Sequence, residues 1–378
     1  MAGNKTGISR DLIIHPGETI ADVLEERGIT QAELATRTGV SPVFVSNVIR
    51  GKKGISADFA LSLEYALAVP KTFWLNLQAN YTAELLEFNE SESITDEERI
   101  IRKKLKNVVS HMRAGQLIPA KQSLDQSIIS LRKFFQISNL ENLGGFIPGG
   151  AFRLSKITKI DSSILGAWIR LCQIAGEESN ISTRFYNDKV DQLISDLKTA
   201  MLNPNIDLQE DLKDIFSHHG IDFSIIMNFS GAPVQGYISK KADGTYQMAL
   251  TLRGAFADIF WFTLFHELGH IYSGDINRTT KYIDYGDDGD KETSADVFAR
   301  DKLIDPQMYQ AFLSKEDSNS KGKHSIESIK SFAKAQNILP CIIIGRLQKE
   351  GKLDYSDYSE YKLRYKWSKD NYGNIEIY

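Results

Sequence analysis

His266, Glu267 and His270 are the residues whose types and spacing could do chemistry together. On a helix, side chains four positions apart share a face, so His266 and His270 can each offer a ring nitrogen to one metal ion. Glu267 then stands beside that ion, placed to take a proton from a water held there. Two imidazoles with a nearby carboxylate suit zinc. The chain holds only seven histidines, so the pairing is not a by-product of a histidine-rich composition. A catalytic zinc takes three protein ligands and leaves a position for water, so a third ligand must come from elsewhere. Residues 291–299 read as a second helix, on which Glu292 and Asp296 lie one turn apart on a shared face. Glu292 as ligand completes a His–His–Glu set, and Asp296 can accept a hydrogen bond from the free ring nitrogen of a ligating histidine. Asp296 itself, and the intervening acids Asp284, Asp287, Asp288 and Asp290, stay open as alternative ligands.

These residues need elements to hold them. Residues 256–265 are almost entirely apolar, the pattern of a helix covered on all sides within a small domain. The run is too short to span a membrane and is interrupted by Asp258. Alternation at residues 221–227, 234–238 and 245–252 predicts a small antiparallel sheet beside that helix. Residues 245–252 are the expected edge strand, where an extended peptide could be held by backbone pairing. Tyr272, Tyr282 and Tyr285 lie near the motif and are the candidate donors to a developing oxyanion.

The other end of the chain carries a different chemistry. Thr30-Gln31-Ala32-Glu33 has the form of a capping box that opens a helix, and Gly39 is its expected left-handed stop. Ser41 caps a second helix with Pro42 at its first position. Counted from Gln31, Ala35 is fifth, Gly39 ninth, Val45 fifteenth and Val48 eighteenth. Those are the positions where a helix-turn-helix needs close helix contact, a sharp turn and two core plugs. The second helix would enter the major groove with Val45, Val48 and Ile49 turned to the core and Pro42, Val43, Ser46 and Asn47 outward. Asn47 and Ser46 can hydrogen-bond base edges, and Val43 can touch a thymine methyl. Gln31, Ser41, Arg50, Lys52 and Lys53 suit phosphate contacts, which position the protein without reading sequence. Residues 1–80 hold eight Lys/Arg and eight Asp/Glu, so binding must rely on a local patch and not on net charge. One such module is small for tight binding, so a homodimer on two half-sites of double-stranded operator DNA is expected.

Two resemblances attach to these segments. Residues 15–81, from His15-Pro16-Gly17-Glu18 through Gly54-Ile55-Ser56 to Phe73-Trp74-Leu75-Asn76-Leu77-Gln78, resemble HigA-type antitoxins of the Xre helix-turn-helix class. From about residue 205 onward the chain resembles the ImmA/IrrE metallopeptidase domain, through residues 260–271, 292–304 and 338–353. That family shows a glutamate where this chain has Ser294, but the preceding Glu292 is in place and is the position carried over as ligand. An acidic ligand some two dozen positions after the second histidine, with another acid one turn later, is the gluzincin arrangement. The resemblances imply a bacterial regulator that binds DNA at one end and carries a zinc peptidase at the other.

At 378 residues there is room for two or three domains, here drawn as 1–88 (helix-turn-helix), 89–204 (helical intermediate region) and 205–378 (zinc metallopeptidase). The expected class is α+β and mostly helical: an all-α helix-turn-helix domain, a helical middle, and a zincin-like domain with a small antiparallel sheet. The glycine cluster at 144–150 has no phosphate-loop lysine and no strand before it, so it reads as a loop. Residues 326–347 loosely echo a second helix-turn-helix. Cys341 and Ile342 make poor groove-facing residues, so a packed hairpin that closes the metal domain is expected instead. Cys172 and Cys341 sit far apart in apolar contexts as buried thiols, which fits a reducing cytoplasm. No apolar signal segment opens the chain and no stretch reaches membrane length, so a cytoplasmic location is expected. The expectation for function is a DNA-binding repressor or antitoxin-like regulator with a zinc-dependent endopeptidase domain, acting on a protein substrate or toxin partner. The alternative is a non-catalytic regulator whose zincin-like domain only senses or docks a partner.

Overall fold

Local capping builds the helices of residues 16–89. In the computed structural model the described residues are 13–148, 160–177, 181, 183–276, 282–284, 294–316, 324–368 and 373–378. They divide into two units, Met1–Thr95 and Asp96–Tyr378. Unit 1 has helices α1 (Pro16–Arg27), α2 (Gln31–Thr38), α3 (Pro42–Ile49), α4 (Ala57–Leu67) and α5 (Lys71–Asn89). Thr30 Oγ1 accepts from the Glu33 amide and Ser41 Oγ from the Phe44 amide, each at 3.1 Å, while Gly39 stops α2 at φ 70°. The capping box is only half formed, because the Glu33 carboxylate turns to Arg37 at 2.5 Å. Leu34, Ala35, Val45 and Val48 are buried with Ile20, Leu24, Phe59, Leu63 and Trp74, so the positions expected to plug the helix pair do so.

Unit 2 begins with α6 (Asp96–Lys104), α7 (Lys106–Ala114), α8 (Leu124–Phe135), α9 (Ser162–Glu177), α10 (Val190–Met201) and α11 (Glu210–Ser217). Strands β1 (Ile221–Ile225), β2 (Gly236–Lys240) and β3 (Tyr246–Leu250) then lead into α12 (Ala257–Ser273). After it come β4 (Tyr282–Asp284), α13 (Ser294–Leu303), α14 (Pro306–Glu316), α15 (Ile326–Ala335), α16 (Pro340–Lys349), β5 (Tyr365–Trp367) and β6 (Ile375–Ile377). The four-stranded sheet runs β1-β3-β2-β4 and is mixed: β3 pairs parallel with β1 and antiparallel with β2. The antiparallel expectation is corrected here, since alternation reports which face is buried and not which way a neighbour runs. The edge-strand expectation for residues 245–252 is corrected too. All five β3 residues are buried: Tyr246, Met248 and Leu250 share the core with α12, while Gln247 donates to the Cys172 carbonyl of α9. Helix α9, far upstream in sequence, covers the second face.

The boundary drawn at 204 falls inside one core. Leu193, Leu197 and Met201 of α10 pack in the same cluster as Phe223, Trp261 and Leu268. Helices α6, α8 and α9 are equally well built, with Glu98 wholly buried against Arg132 and accepting from the Leu140 amide at 2.9 Å. The hairpin of α15 and α16 packs as expected, with Cys341, Ile342, Ile343 and Ile344 buried. Its Gly345 abuts Asp258 in the first turn of α12, and Asp258 pairs with Lys362 at 2.7 Å. Cys172 and Cys341 are buried free thiols. Among the described residues, no helix is long and apolar enough to cross a membrane.

The cap of α1 yields a pH prediction. His15 Nδ1 accepts from the Gly17 amide at 2.9 Å, and its ring meets Tyr81 edge-on. Burial holds the imidazole below its ordinary value, against the pull of Glu18. Only the neutral ring has an acceptor at Nδ1, so protonation removes the cap and places a positive charge at the positive end of the helix dipole. With a folded pKa below the unfolded value of about 6.5, this stabilisation is full above that pH and is lost as pH falls through the folded value. Deuterium exchange at the α1 amides of the full chain should therefore accelerate as pH falls below about 6.5, relative to His15→Asn, by an amount consistent with a cap worth about 1 kcal/mol. An identical pH response in both proteins would remove His15 from that role.

Candidate functional site

Helix α12 carries His266, Glu267 and His270 through the core. Phe260, Trp261, Leu264, Phe265, Leu268 and Ile271 are buried around it, so the helix is held from several sides. Gly269 sets its distance to α13: a Cβ there would lie 2.9 Å from the Ala295 Cα, closer than packed atoms come. On α13, Ala295, Ala299 and Leu303 recur every four residues as the buried stripe facing inward. This close packing lets Asp296 Oδ1 reach His266 Nδ1 at 2.7 Å, as the spacing of the two segments leads one to expect.

His266 and His270 point their Nε2 atoms at each other, 3.2 Å apart. Two imidazole nitrogens bound to one tetrahedral zinc, each at about 2.0–2.1 Å, would stand about 3.3 Å apart. Each ring is held from behind by a carboxylate, Asp296 on His266 and Asp275 Oδ2 on His270 at 3.1 Å. In a neutral ring an acceptor at Nδ1 keeps the proton there, so both Nε2 atoms present lone pairs. Burial holds His270 below its ordinary pKa, against its hydrogen bond to Asp275. Ser273 and then His270 hold the Asp275 carboxyl below the usual range. The donor set fits a zinc ion. Glu292, the expected third ligand, lies outside the described residues, as do Asp287, Asp288, Asp290 and Tyr285. Among the described residues, no three His, Cys, Asp or Glu side chains form a metal-holding group.

Glu267 is wholly buried, with its carboxylate against the sheet at Gly236, where a Cβ would come within 2.1 Å of Oε1. Of the tyrosines, Tyr282 lies beside the pair, its ring centroid 4.2 Å from that of His270, whereas Tyr272 packs on Phe298. Asp284 is buried in β4 and its charge raises the basicity of His270. Sequence reading missed Asp275 and Gly236. The signal for the first was Ser273-Gly274-Asp275, where a left-handed glycine turns the chain back onto the helix that has just ended.

Unit 1 presents its own surface. Val45 and Val48 are buried, while Val43 stays 69% exposed in the first turn of α3, a large apolar side chain left in solvent. Gln31, Ser41, Pro42, Arg50, Lys52 and Lys53 are exposed, and Ser46 and Asn47 are half-buried. Val43, Ser46, Asn47 and Arg50 follow the three- and four-residue spacing of one helix face. Among the described residues, Arg50, Lys52 and Lys53 have no carboxylate partner, and Lys53 Nζ sits 5.1 Å from the centre of the Phe44 ring.

A family model described as helix-turn-helix matches residues 20–74. Virulence-associated protein I of Dichelobacter nodosus is 35% identical over 75 residues, covering 20% of this chain and 69% of the relative. Among solved structures, the Pseudomonas aeruginosa antitoxin HigA with the higBA promoter is 36% identical over 22% of this chain and 96% of that one, with a TM-score of 0.20. PA4674 of Pseudomonas aeruginosa in complex with its operator DNA is 40% identical over 19% of this chain and 78% of that one, with a TM-score of 0.19.

The packing around Gly269 can be tested directly. Gly269→Ala must push α13 away or strain α12, since the nearest obstacle is backbone. Urea denaturation of the full chain should show unit 2 destabilised by about 1–3 kcal/mol, despite the helix propensity gained. An unchanged midpoint would mean that the two helices can separate there at no cost.

Proposed function

This chain belongs to the helix-turn-helix family through residues 20–74, and from that premise we propose a two-part regulator. Unit 1 binds operator DNA in the manner of an antitoxin or repressor. Unit 2 is a zinc-dependent endopeptidase acting on a protein, such as a toxin, a partner repressor or another copy of the chain. Support for the first part comes from relatives solved with operator or promoter DNA, together with the exposed face of α3. The observation that carries the second is the pair of facing Nε2 atoms at 3.2 Å, each ring backed by a carboxylate.

His266, His270 and Glu292 would hold the zinc. When bound, it supplies Lewis-acid polarisation of a water and of the scissile carbonyl. Glu267 takes the proton of the attacking water on its carboxylate and returns it to the leaving amine nitrogen. Its burial against Gly236 keeps that carboxylate in a water-poor setting, where proton transfer is not diluted by bulk solvent. Of the candidate tyrosines, the ring of Tyr282 lies against His270, which favours it as the donor toward the developing oxyanion. An extended peptide would pair with β4, which is an edge of the sheet and carries Tyr282, in place of residues 245–252. On DNA, two copies would occupy two half-sites.

Metal analysis of the purified full chain should find about one zinc per chain, lost in His266→Ala and in Glu292→Ala. No zinc in the wild type after supply would sink the peptidase reading. Glu267→Gln should keep the metal and abolish cleavage; if regulation in cells is unchanged by it, unit 2 serves as a sensor or docking module instead.

The DNA face makes a separate prediction. Asn47→Ala should cost about 1–3 kcal/mol on the operator and relax sequence preference. Lys52→Ala and Lys53→Ala should weaken all DNA alike, each lowering the salt slope by about 0.9. A titration in which Asn47→Ala and the lysine variants behave identically would contradict this division.

A further inference from the structure

The turn that ends α12 does more than stop the helix. Gly274, at φ 77°, lies in the left-handed region and its amide donates to the carbonyls of His270 and Ile271. The Asp275 amide donates back to the His270 carbonyl at 3.2 Å, so the chain doubles over the last helical turn. Its carboxylate comes to rest behind the histidine, with Oδ2 3.1 Å from His270 Nδ1. The same oxygen accepts from the Ser273 hydroxyl at 2.6 Å, which fixes the carboxylate from its other side. Nδ1 and Nε2 leave an imidazole on diverging lines, so a group at Nδ1 cannot also bind an ion held at Nε2. What it can do is set the ring's rotation and its tautomer.

We propose that Asp275, steadied by Ser273, is the positioning residue for His270, keeping the ring proton on Nδ1 and presenting Nε2 to a divalent metal ion. This rests on the zinc reading of the His266–His270 pair. Its role is distinct from that of Asp296, which serves His266 from a separate helix and reaches it only when α13 is docked. Asp275 is delivered by the cap of the ligand's own helix, so His270 keeps its orientation whatever α13 does.

The test uses the full chain and zinc itself. Zinc affinity is measured by competition with a chromophoric chelator for wild type, Asp275→Ala, Asp275→Asn and His270→Ala, with urea denaturation of each metal-free protein alongside. Asp275→Ala should bind zinc about 10–100-fold more weakly. Asp275→Asn should recover most of that loss, because its amide oxygen still accepts from Nδ1–H. Metal-free stability should match wild type in both. Wild-type affinity in Asp275→Ala, with affinity lost in His270→Ala, overturns the positioning role and leaves the zinc site standing. Equal losses in Asp275→Asn and Asp275→Ala with lowered metal-free stability assign the residue to the fold, and also overturn it. If the wild type binds no zinc while folding normally, the zinc reading itself fails and the proposal with it.

Discussion

The facing histidines and the Asp296 carboxylate behind them depend on the close approach of α12 and α13 at Gly269 and Ala295. Only a residue without a side chain lets these helices come so near, since a Cβ at 269 would lie 2.9 Å from the Ala295 Cα. Glycine inside a helix costs about 1 kcal/mol relative to alanine. Here the cost is offset by the burial of Ala295, Ala299 and Leu303 against a helix that is itself apolar on most sides. A second glycine does the matching work on the sheet, where Gly236 leaves the space that the Glu267 carboxylate fills. The first approach seats the backbone of Ala295 against α12, and the second seats a carboxylate against the sheet.

That arrangement concentrates electron-rich groups in a buried place. Two imidazoles with their Nδ1 atoms on carboxylates turn lone pairs toward each other, beside a carboxylate wholly out of solvent. Burying such a set is costly unless a cation or protons offset it. Burial holds His270 below its ordinary pKa, which favours the neutral ring that a metal needs. Under the zinc reading, a divalent ion between the rings would offset this cost.

What could be read along the chain beforehand was whatever is decided locally. Thr30, Gly39, Ser41 and Pro42 act on their own neighbours, so the helix pair of unit 1 was legible to the residue. The shared face of His266 and His270 follows from helix geometry alone, whereas the reach of Asp296 needs α13 seated on α12. The sheet was legible only as strands: β3 is central because β1 and β2 flank it, and no pattern within residues 245–252 announces those partners or the cover supplied by α9. For the same reason the line at 204 runs through a shared core, since α10 looks like any amphipathic helix until its apolar face is seen against the sheet. Asp275 was missed because its neighbours read as a plain helix stop. Only the left-handed turn at Gly274 aims its carboxylate at a ring five residues back.

The two backing carboxylates divide the site into a part that is always formed and a part that must dock. His270 with Asp275 belongs to one helix and its cap, and needs nothing beyond local geometry. His266 with Asp296 joins two helices, and Glu292 precedes Ser294, the first residue of α13, by only two positions. Under the zinc reading the ion therefore ties α12 to the start of α13, at the joint that Gly269 and Ala295 already make. An ion that binds the docked state and not the undocked one adds its binding free energy to that joint. Without it, docking rests, among the described residues, on the packing of Ala295, Ala299 and Leu303 and on the contact of Asp296 with His266. Metal occupancy and the seating of α13 are then a single equilibrium, in which the locally held half of the site waits for the other.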